Sequence, residues 1–427
     1  MTAPDHPILL CHDCDAPHAL PPALPGHRAE CRRCGAVLRH FRTGGLGHAV
    51  ALAIASTILF VTANLFPILT FELEGRAQMA TLLSGSLALW DGGYEELGVL
   101  VFFVLFLAPL AQVLGTLYVV MPLAAGRTPA PGAAWTFRTV ARLRRWAMAE
   151  VFLLGLIVAY VKLSDLAELE PGASLAALVA FILVQVWGEA SLSPFEVWER
   201  IAPQTRVAQA ANADPERLTA CHDCHQVVAR AEGAGSEGTC PRCGARLHHR
   251  KPNSLPRGWA LIAAATILYI PANLLPIMTV VYFGAGQPDT ILSGVEALIA
   301  AEMWPVALLV FFASITVPVL KLIGLAYLLW TVQRGSPKRK RDRTRLYRLI
   351  EGVGRWSMVD IFMISLLAAL VQLGAIATIH AELGAVAFAA VVVITMLASE
   401  SFDPRLIWDA PPRRTQRQDT PMIDAHD

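Results

Sequence analysis

The chain has 427 residues, 55% of them hydrophobic and only 16% charged, with a mean hydropathy of +0.49 and a formal net charge of +1. Soluble domains carry about 25% charged residues, so this is a membrane-protein composition, and the bulk charge points to no particular partner. No N-terminal signal peptide is expected, because the first apolar run starts only at Ala49, behind a polar, cysteine-bearing segment.

That segment carries Cys11-His-Asp-Cys14, then Cys31 and Cys34-Gly35. The pattern returns at Cys221, Cys224, Cys240 and Cys243-Gly244, which uses all eight cysteines. Two C-x-x-C knuckles at this spacing can place four thiolates around one tetrahedral ion, with the glycine letting the backbone turn tightly under the sulfurs. A structural Zn²⁺ in each ribbon is the expectation, two per chain, with iron as the other metal such a site takes. A closed tetrathiolate leaves no open position for catalysis. A thioredoxin-like redox fold does not fit in segments this short, and no basic-aromatic patch suggests nucleic acid. His12, His40, His222, His248 and His249 flank the knuckles and are read as solvated or outer neighbours rather than ligands.

Eight apolar spans follow in order: 49–70, 97–125, 146–161 and 175–190, then 259–281, 303–332, 356–379 and 383–399. A bilayer core needs about 20 apolar residues, so the third, fourth and eighth are short. Four spans per half are favoured because every loop then has one consistent charge sign. Arg127, Arg138, Arg142, Arg144 and Arg145 fill the second loop with no acid, and nine Lys and Arg residues between Arg334 and Arg355 fill its counterpart. The loop after the first span carries Glu72, Glu74, Asp91, Glu95 and Glu96, and the loop after the fifth has neither Lys nor Arg. Basic loops face the cytoplasm, so both termini and the segment joining the halves are expected there.

The halves repeat at an offset near 210. A-S-T-I-L-F-V-T-A-N-L-F-P-I-L-T from Ala55 matches A-A-T-I-L-Y-I-P-A-N-L-L-P-I-M-T from Ala264, and R-W-A-M-A-E-V-F from Arg145 matches R-W-S-M-V-D-I-F from Arg355. An even number of spans per half makes this a parallel duplication. The expected fold is mainly α: a ribbon (1–43), a four-helix module (44–202), a linker (203–219), a second ribbon (220–252), a second module (253–409) and a disordered tail (410–427). Asn64 with Pro67, and Asn273 with Pro276, are expected to kink or end the first span of each module, with ligand contact as the alternative. A β-hairpin and a short interfacial helix should follow each motif outside the membrane.

Lys321 falls eleven residues before the cytoplasmic end of the sixth span, about 16 Å deep at 1.5 Å per residue. Insertion scales charge about 2.5–3.5 kcal/mol for lysine near the bilayer centre, so a partner is required. Asp360 on the seventh span is the expected one, in the same cytoplasmic half but several ångströms away in depth, so that a water or hydroxyl bridges the two, with Ser314, Ser357 and Thr395 completing a network able to change protonation state. The first half has Gln112 in place of Lys321 and Glu150 in place of Asp360, which assigns the proton-sensitive site to the second half and scaffolding to the first. A buried ion pair that only fixes helix register is the competing reading.

Duplicated ribbons, each followed by four spans with A-N-L-F-P at Ala63 or A-N-L-L-P at Ala272, resemble the paraquat-inducible protein A family, and within it the lipophilic envelope-spanning tunnel type. The resemblance implies a non-enzymatic inner-membrane component of Gram-negative bacteria. It would work beside a periplasmic protein of mammalian-cell-entry (MCE) domains and move phospholipids between the two membranes, with transmembrane modules similar to the tetraspanin and claudin class. A passive anchor for that partner and a proton-coupled exporter of small toxic compounds are the alternatives. No Walker A motif is present to supply ATP hydrolysis.

Overall fold

The computed structural model describes residues 8–19, 28–40, 45–73, 76–163, 168–203, 218–229, 238–282, 285–372 and 377–409. The expected tail and nearly all of the expected linker lie outside these residues.

The first ribbon is two short antiparallel hairpins, β1 (Ile8–Leu10) with β2 (Pro17–Ala19) and β3 (Arg28–Glu30) with β4 (Val37–His40). Each knuckle closes through a residue at positive φ, Asp15 at 55° and Gly35 at 73°, so the glycine expectation holds for the second knuckle while an aspartate serves the first.

The first module opens with α1 (Leu46–Leu65), which ends where Phe66 turns extended ahead of Pro67. Proline has no N–H to continue the ladder, and the chain crosses into β5 (Leu69–Leu73) and β6 (Arg76–Ala80), the expected hairpin. The short helix α2 (Ser84–Asp91) follows, then α3 (Glu95–Ala124), α4 (Ala133–Leu143) and α5 (Ala149–Leu163). β7 (Glu168–Pro171), α6 (Ala173–Ser191) and α7 (Pro194–Ile201) complete it.

The second half repeats the plan with ribbon strands β8 (Leu218–Ala220), β9 (Val227–Ala229), β10 (Gly238–Thr239) and β11 (Arg246–Leu247), then α8 (Ser254–Leu274), β12 (Met278–Tyr282) and β13 (Ala285–Asp289). After α9 (Ile291–Ala300) and α10 (Trp304–Gln333), α11 (Lys340–Val353) runs through a 3-10 turn, Gly354–Met358, into α12 (Val359–Leu370). β14 (Ala377–Ala381) and α13 (Leu383–Ser401) end the module.

Three expected spans overran. The ends of the first and fifth belong to β5 and β12, beyond the prolines, and the seventh stops at Leu370 because Ala377–Ala381 pairs with β12. Each hairpin is a three-stranded antiparallel sheet, ordered β6-β5-β7 and β13-β12-β14. The third strands come from about a hundred residues downstream in sequence, which local pattern does not reveal. Seven helices among the described residues are long and apolar enough to cross a membrane; α5, with 15 residues, is shorter. The chain is a multi-pass membrane protein.

α3 and α10 each widen into one π turn, at Phe103–Leu107 and Phe312–Thr316. Pro109 and Pro318 stand just beyond and cannot donate to the carbonyls of Leu105 and Ser314, so the ladder resets there.

Within each module α1 lies along α6 and α3, and α8 along α13 and α10. The third helices behave differently. α5 and α12, equivalent by the repeat, pack on each other at the centre, with the rings of their counterpart residues Phe152 and Phe362 at 5.8 Å and 77°. Gly155 permits this approach: a Cβ there would lie 3.0 Å from the Val359 carbonyl oxygen and from Phe362 Cβ. α12, buried along its whole length, also packs against α2 and β6 of the other half. The third helix of the second module therefore packs across onto the first, while α5 keeps to α6 and α3 of its own module and meets the second half mainly through α12.

The ribbons cross over as well. Arg348 of α11 donates to Asp13 at 2.6 Å and Arg33 stacks over Trp408 at 4.5 Å, fixing the first ribbon under the second module. The second ribbon docks under the first module through Arg142–Asp223 at 3.1 Å, Arg242–Glu199 at 2.9 Å and an apolar cluster with Leu46, Phe137 and Trp198.

Candidate functional site

The four thiols of each ribbon are buried, with all sulfurs of a set within 4.8 Å of one another. Cys11–Cys34 and Cys14–Cys31 stand at 3.5 Å, Cys221–Cys243 at 3.5 Å and Cys224–Cys240 at 3.6 Å. A tetrahedral ion with metal–sulfur bonds of about 2.3 Å needs sulfurs about 3.8 Å apart, so both sets fit a metal of zinc's size. Its contribution would be structural, because four thiolates close the shell. Of the flanking histidines, His222 meets Arg405 at 2.8 Å. A further histidine, His18, which spacing does not single out, places its Nε2 3.2 Å from Cys31 Sγ; the side chain of His40 lies outside the description.

In the second half Lys321 is 2% exposed and donates to Thr395 Oγ1 at 3.0 Å, and Thr395 donates on to the Val392 carbonyl. The amine sits against Gly354, where an added Cβ would lie 3.1 Å from Nζ. Asp360 comes six residues later, about 9 Å further along at 1.5 Å per residue, and its two buried carboxylate oxygens make no hydrogen bond of normal length, although the Ser314 hydroxyl stands close to them. Lys321 and Asp360 are therefore not in direct contact, because the two groups occupy different levels. Lys321 is also shallower than span length implied: α10 outruns its neighbours, whereas α13 ends six residues after Thr395, about 9 Å away. Ser314, in the π turn, and Ser357 each bury a hydroxyl that makes no hydrogen bond of normal length.

The cation that shares a cavity with Asp360 is Lys162, from the first half. The two residues line a narrow space beneath α9 with Thr290, Gly294 and Met363. The packing of α5 on α12 brings Lys162 there. Ending the third span at Val161 left it outside the membrane-spanning set, and its counterpart Gln372 gave no hint; a lysine closing an apolar helix was the available signal.

The equivalent place in the first half is occupied by other chemistry. Gln112, 3% exposed, donates to Glu189 at 2.6 Å, and Glu189 also pairs with Arg144, the counterpart of Gly354. Glu150 is not buried like Asp360. It pairs with Arg355 of the second half at 3.1 Å, and Arg145 pairs with Glu400 at 3.3 Å, so ion pairs tie the halves in both directions. At the motif ends, Asn64 and Asn273 each donate to the carbonyl four residues back, Phe60 and Tyr269, at 2.8 Å, capping helices that stop before Pro67 and Pro276. Ser174 donates to the Ala63 carbonyl, the one Pro67 cannot serve.

The Paraquat-inducible protein A family model matches residues 46–202 and 255–411. Intermembrane transport protein PqiA of Escherichia coli (strain K12) is 34% identical over 409 residues, 95% of this chain and 96% of the relative. Lipophilic envelope-spanning tunnel protein A of the same organism is 34% identical over 400 residues, 94% and 91% of the two chains. A probable intermembrane transport protein of Haemophilus influenzae is 31% identical over 409 residues, 96% and 97%. No solved structure matches.

Proposed function

The chain belongs to the paraquat-inducible protein A family, and from that premise we propose that it passes lipids between the inner membrane and a periplasmic tunnel of MCE domains, coupled to protonation of an intramembrane network. The relatives' names speak of intermembrane transport and an envelope-spanning tunnel, which supports transport rather than catalysis. The network consists of Asp360, Ser314, Ser357, Lys321 and Thr395, to which Lys162 is added here. The observation that carries it is the fully buried carboxylate of Asp360, which makes no hydrogen bond of normal length and has the Ser314 hydroxyl and the Lys162 amine near it, because a buried acid without firm hydrogen bonds is costly as an anion and is stable when protonated or hydrated. Proton gain and loss at that position, relayed through the neighbouring hydroxyls, would alternate the charge facing the cavity under α9.

The same reading gives the chain eight spans, counting α5, with both termini in the cytosol and the division into ribbons, modules, linker and tail set out above. The basic loops and the 15-residue apolar α5 support it. A small sheet outside each helical module supports the likeness to tetraspanins and claudins. Zinc in the two ribbons, and a capping role for Asn64, Pro67, Asn273 and Pro276, complete the proposal. The deciding experiment is complementation of an envelope defect in a deletion strain. Asp360→Ala and Lys321→Ala should each abolish it while leaving the protein inserted and folded. Normal complementation by both would discard proton coupling in favour of a passive anchor.

A further inference from the structure

The first half holds a polar cavity that the proposed pathway does not use. It lies where α6 ends, occupies about 130 Å³ and is lined by Gln112, Arg144, Glu150, Gln185, Glu189 and Arg355. Ligand pockets begin near about 300 Å³, so this one admits a headgroup and not a whole lipid.

Two guanidinium groups and two carboxylates give the cavity a net charge of zero, arranged as the pairs Arg144–Glu189 and Arg355–Glu150. The four side chains are 26–50% exposed. Pairs this accessible hold each other by about 0–1 kcal/mol, so a ligand carrying both signs of charge can insert between them at little cost. Guanidinium groups suit phosphate oxygens, and carboxylates suit an ammonium. A purely anionic ligand would gain the first contact and meet two carboxylates. The rim continues onto Val186 of α6, 59% exposed, beside Leu183 at 66% and Trp187 at 64%, an apolar face on a helix that buries little of itself in the protein.

We infer that this cavity seats the zwitterionic headgroup of a phospholipid, with phosphate against Arg144 and Arg355, ammonium against Glu150 and Glu189, and acyl chains along the exposed face of α6. The inference rests on the lipid-transport reading and gives the first half a substrate-facing role. The second half lacks the seat, since Arg144, Gln185 and Glu189 correspond to Gly354, Thr395 and Ser399.

Native mass spectrometry of the full, metal-loaded chain tests it, using phosphatidylethanolamine, phosphatidylglycerol and soluble phosphoethanolamine as probes. Wild type should retain phosphatidylethanolamine about tenfold better than phosphatidylglycerol, a difference of about 1.4 kcal/mol. Soluble phosphoethanolamine at equal concentration should fail to displace it. Arg144→Gln combined with Arg355→Gln should cost most of the retention, and Glu189→Gln should erase the preference between the two lipids. Ala147→Leu fills the cavity without touching a charge, so it should lower retention even if the charge variants fold poorly. Equal retention of both lipids by wild type, full displacement by the soluble headgroup, or unchanged retention in Ala147→Leu would each overturn the proposal. Complementation by Asp360→Ala and Lys321→Ala is read separately: its loss in both alongside failed lipid retention sinks only the headgroup seat, and its persistence in both alongside normal retention sinks only the proton-coupled transport reading.

Discussion

The same position in the two halves has been solved in opposite ways. On α10 a lysine is sealed in, held by Thr395 and roofed by Gly354; on α3 a glutamine takes its place, and the positive charge has moved to Arg144 on the far side of a carboxylate that faces water. The backbone is nearly the same in both, down to the π turn and the sheet outside. The lesson is that a duplicated scaffold fixes where polar groups meet, while a glycine or an arginine at one corner decides whether the meeting place is dry.

The largest effect should come from the ribbons, which the halves share alike. Metal binding to such sites is worth about 10–16 kcal/mol in small peptides, so Cys221→Ser and Cys11→Ser should each lower bound metal from two ions to one by elemental analysis and reduce folded yield. Because the ribbons are crossed, Cys11→Ser should loosen α11 of the second half to protease. Cleavage confined to the first module would break that picture.

Next in size is the contrast between the polar clusters. Lys162→Ala should abolish complementation as Asp360→Ala does, and Gln112→Ala should only weaken it, since the Arg144–Glu189 pair that Gln112 supports persists without it. Loss of activity in Gln112→Ala with intact activity in Lys162→Ala would invert the assignment.

A third test concerns Asp403, whose counterpart Ser193 carries no charge. Burial pushes its carboxyl up, yet the guanidinium of Arg405 and the backbone N–H groups of Lys251 and Arg405 outweigh burial and hold it down at about 2 from an ordinary 3.8. A depressed acid stabilises fully above its unfolded value and loses that contribution as pH falls from 3.8 toward about 2. Asp403→Asn should therefore cost about 3 kcal/mol, as breaking a buried pair does. The gap in thermal midpoint from wild type should stay constant between about pH 5 and pH 8. A gap that drifts across that range would point to another titrating group.

The smallest effect is expected at the seam between the halves. Gly155→Val pushes a side chain into Val359 and Phe362 and should cost about 1–3 kcal/mol in thermal stability. Ser365→Val, at the counterpart of Gly155 on α12, should be no milder, because Ser365 packs so closely on Gly85 that a Cβ added there would lie 3.0 Å from its hydroxyl and carbonyl oxygens.

Much of this arrangement was legible in the sequence. The cysteine spacing, the offset near 210, the basic loops and N-L-x-P each act within a few residues of themselves, so the ribbons, the repeat and the helix ends could be read directly. What stayed hidden depends on choosing between two near-identical partners. Nothing local says that α12 lies against α2 of the other half instead of α9 of its own, and with that choice unknown Lys162 had no visible link to Asp360. The gap between Lys321 and Asp360 is hidden for a related reason: span length does not report depth where α10 runs on beyond the end of α13. The π turns were announced by Pro109 and Pro318, but a proline is read more readily as a kink than as a reset of the ladder.

The crossed packing of α12 also sets an order of birth. When the ribosome has delivered residues up to 203, the first bundle still lacks the rod that will lie under α2 and β6, and that rod, 359–370, emerges only after the second ribbon and α8 to α11. Until then the nascent half must wait in the bilayer with an open flank, so insertion machinery has to shield it, and two separately expressed halves would assemble only by finding each other before either closes on a wrong neighbour.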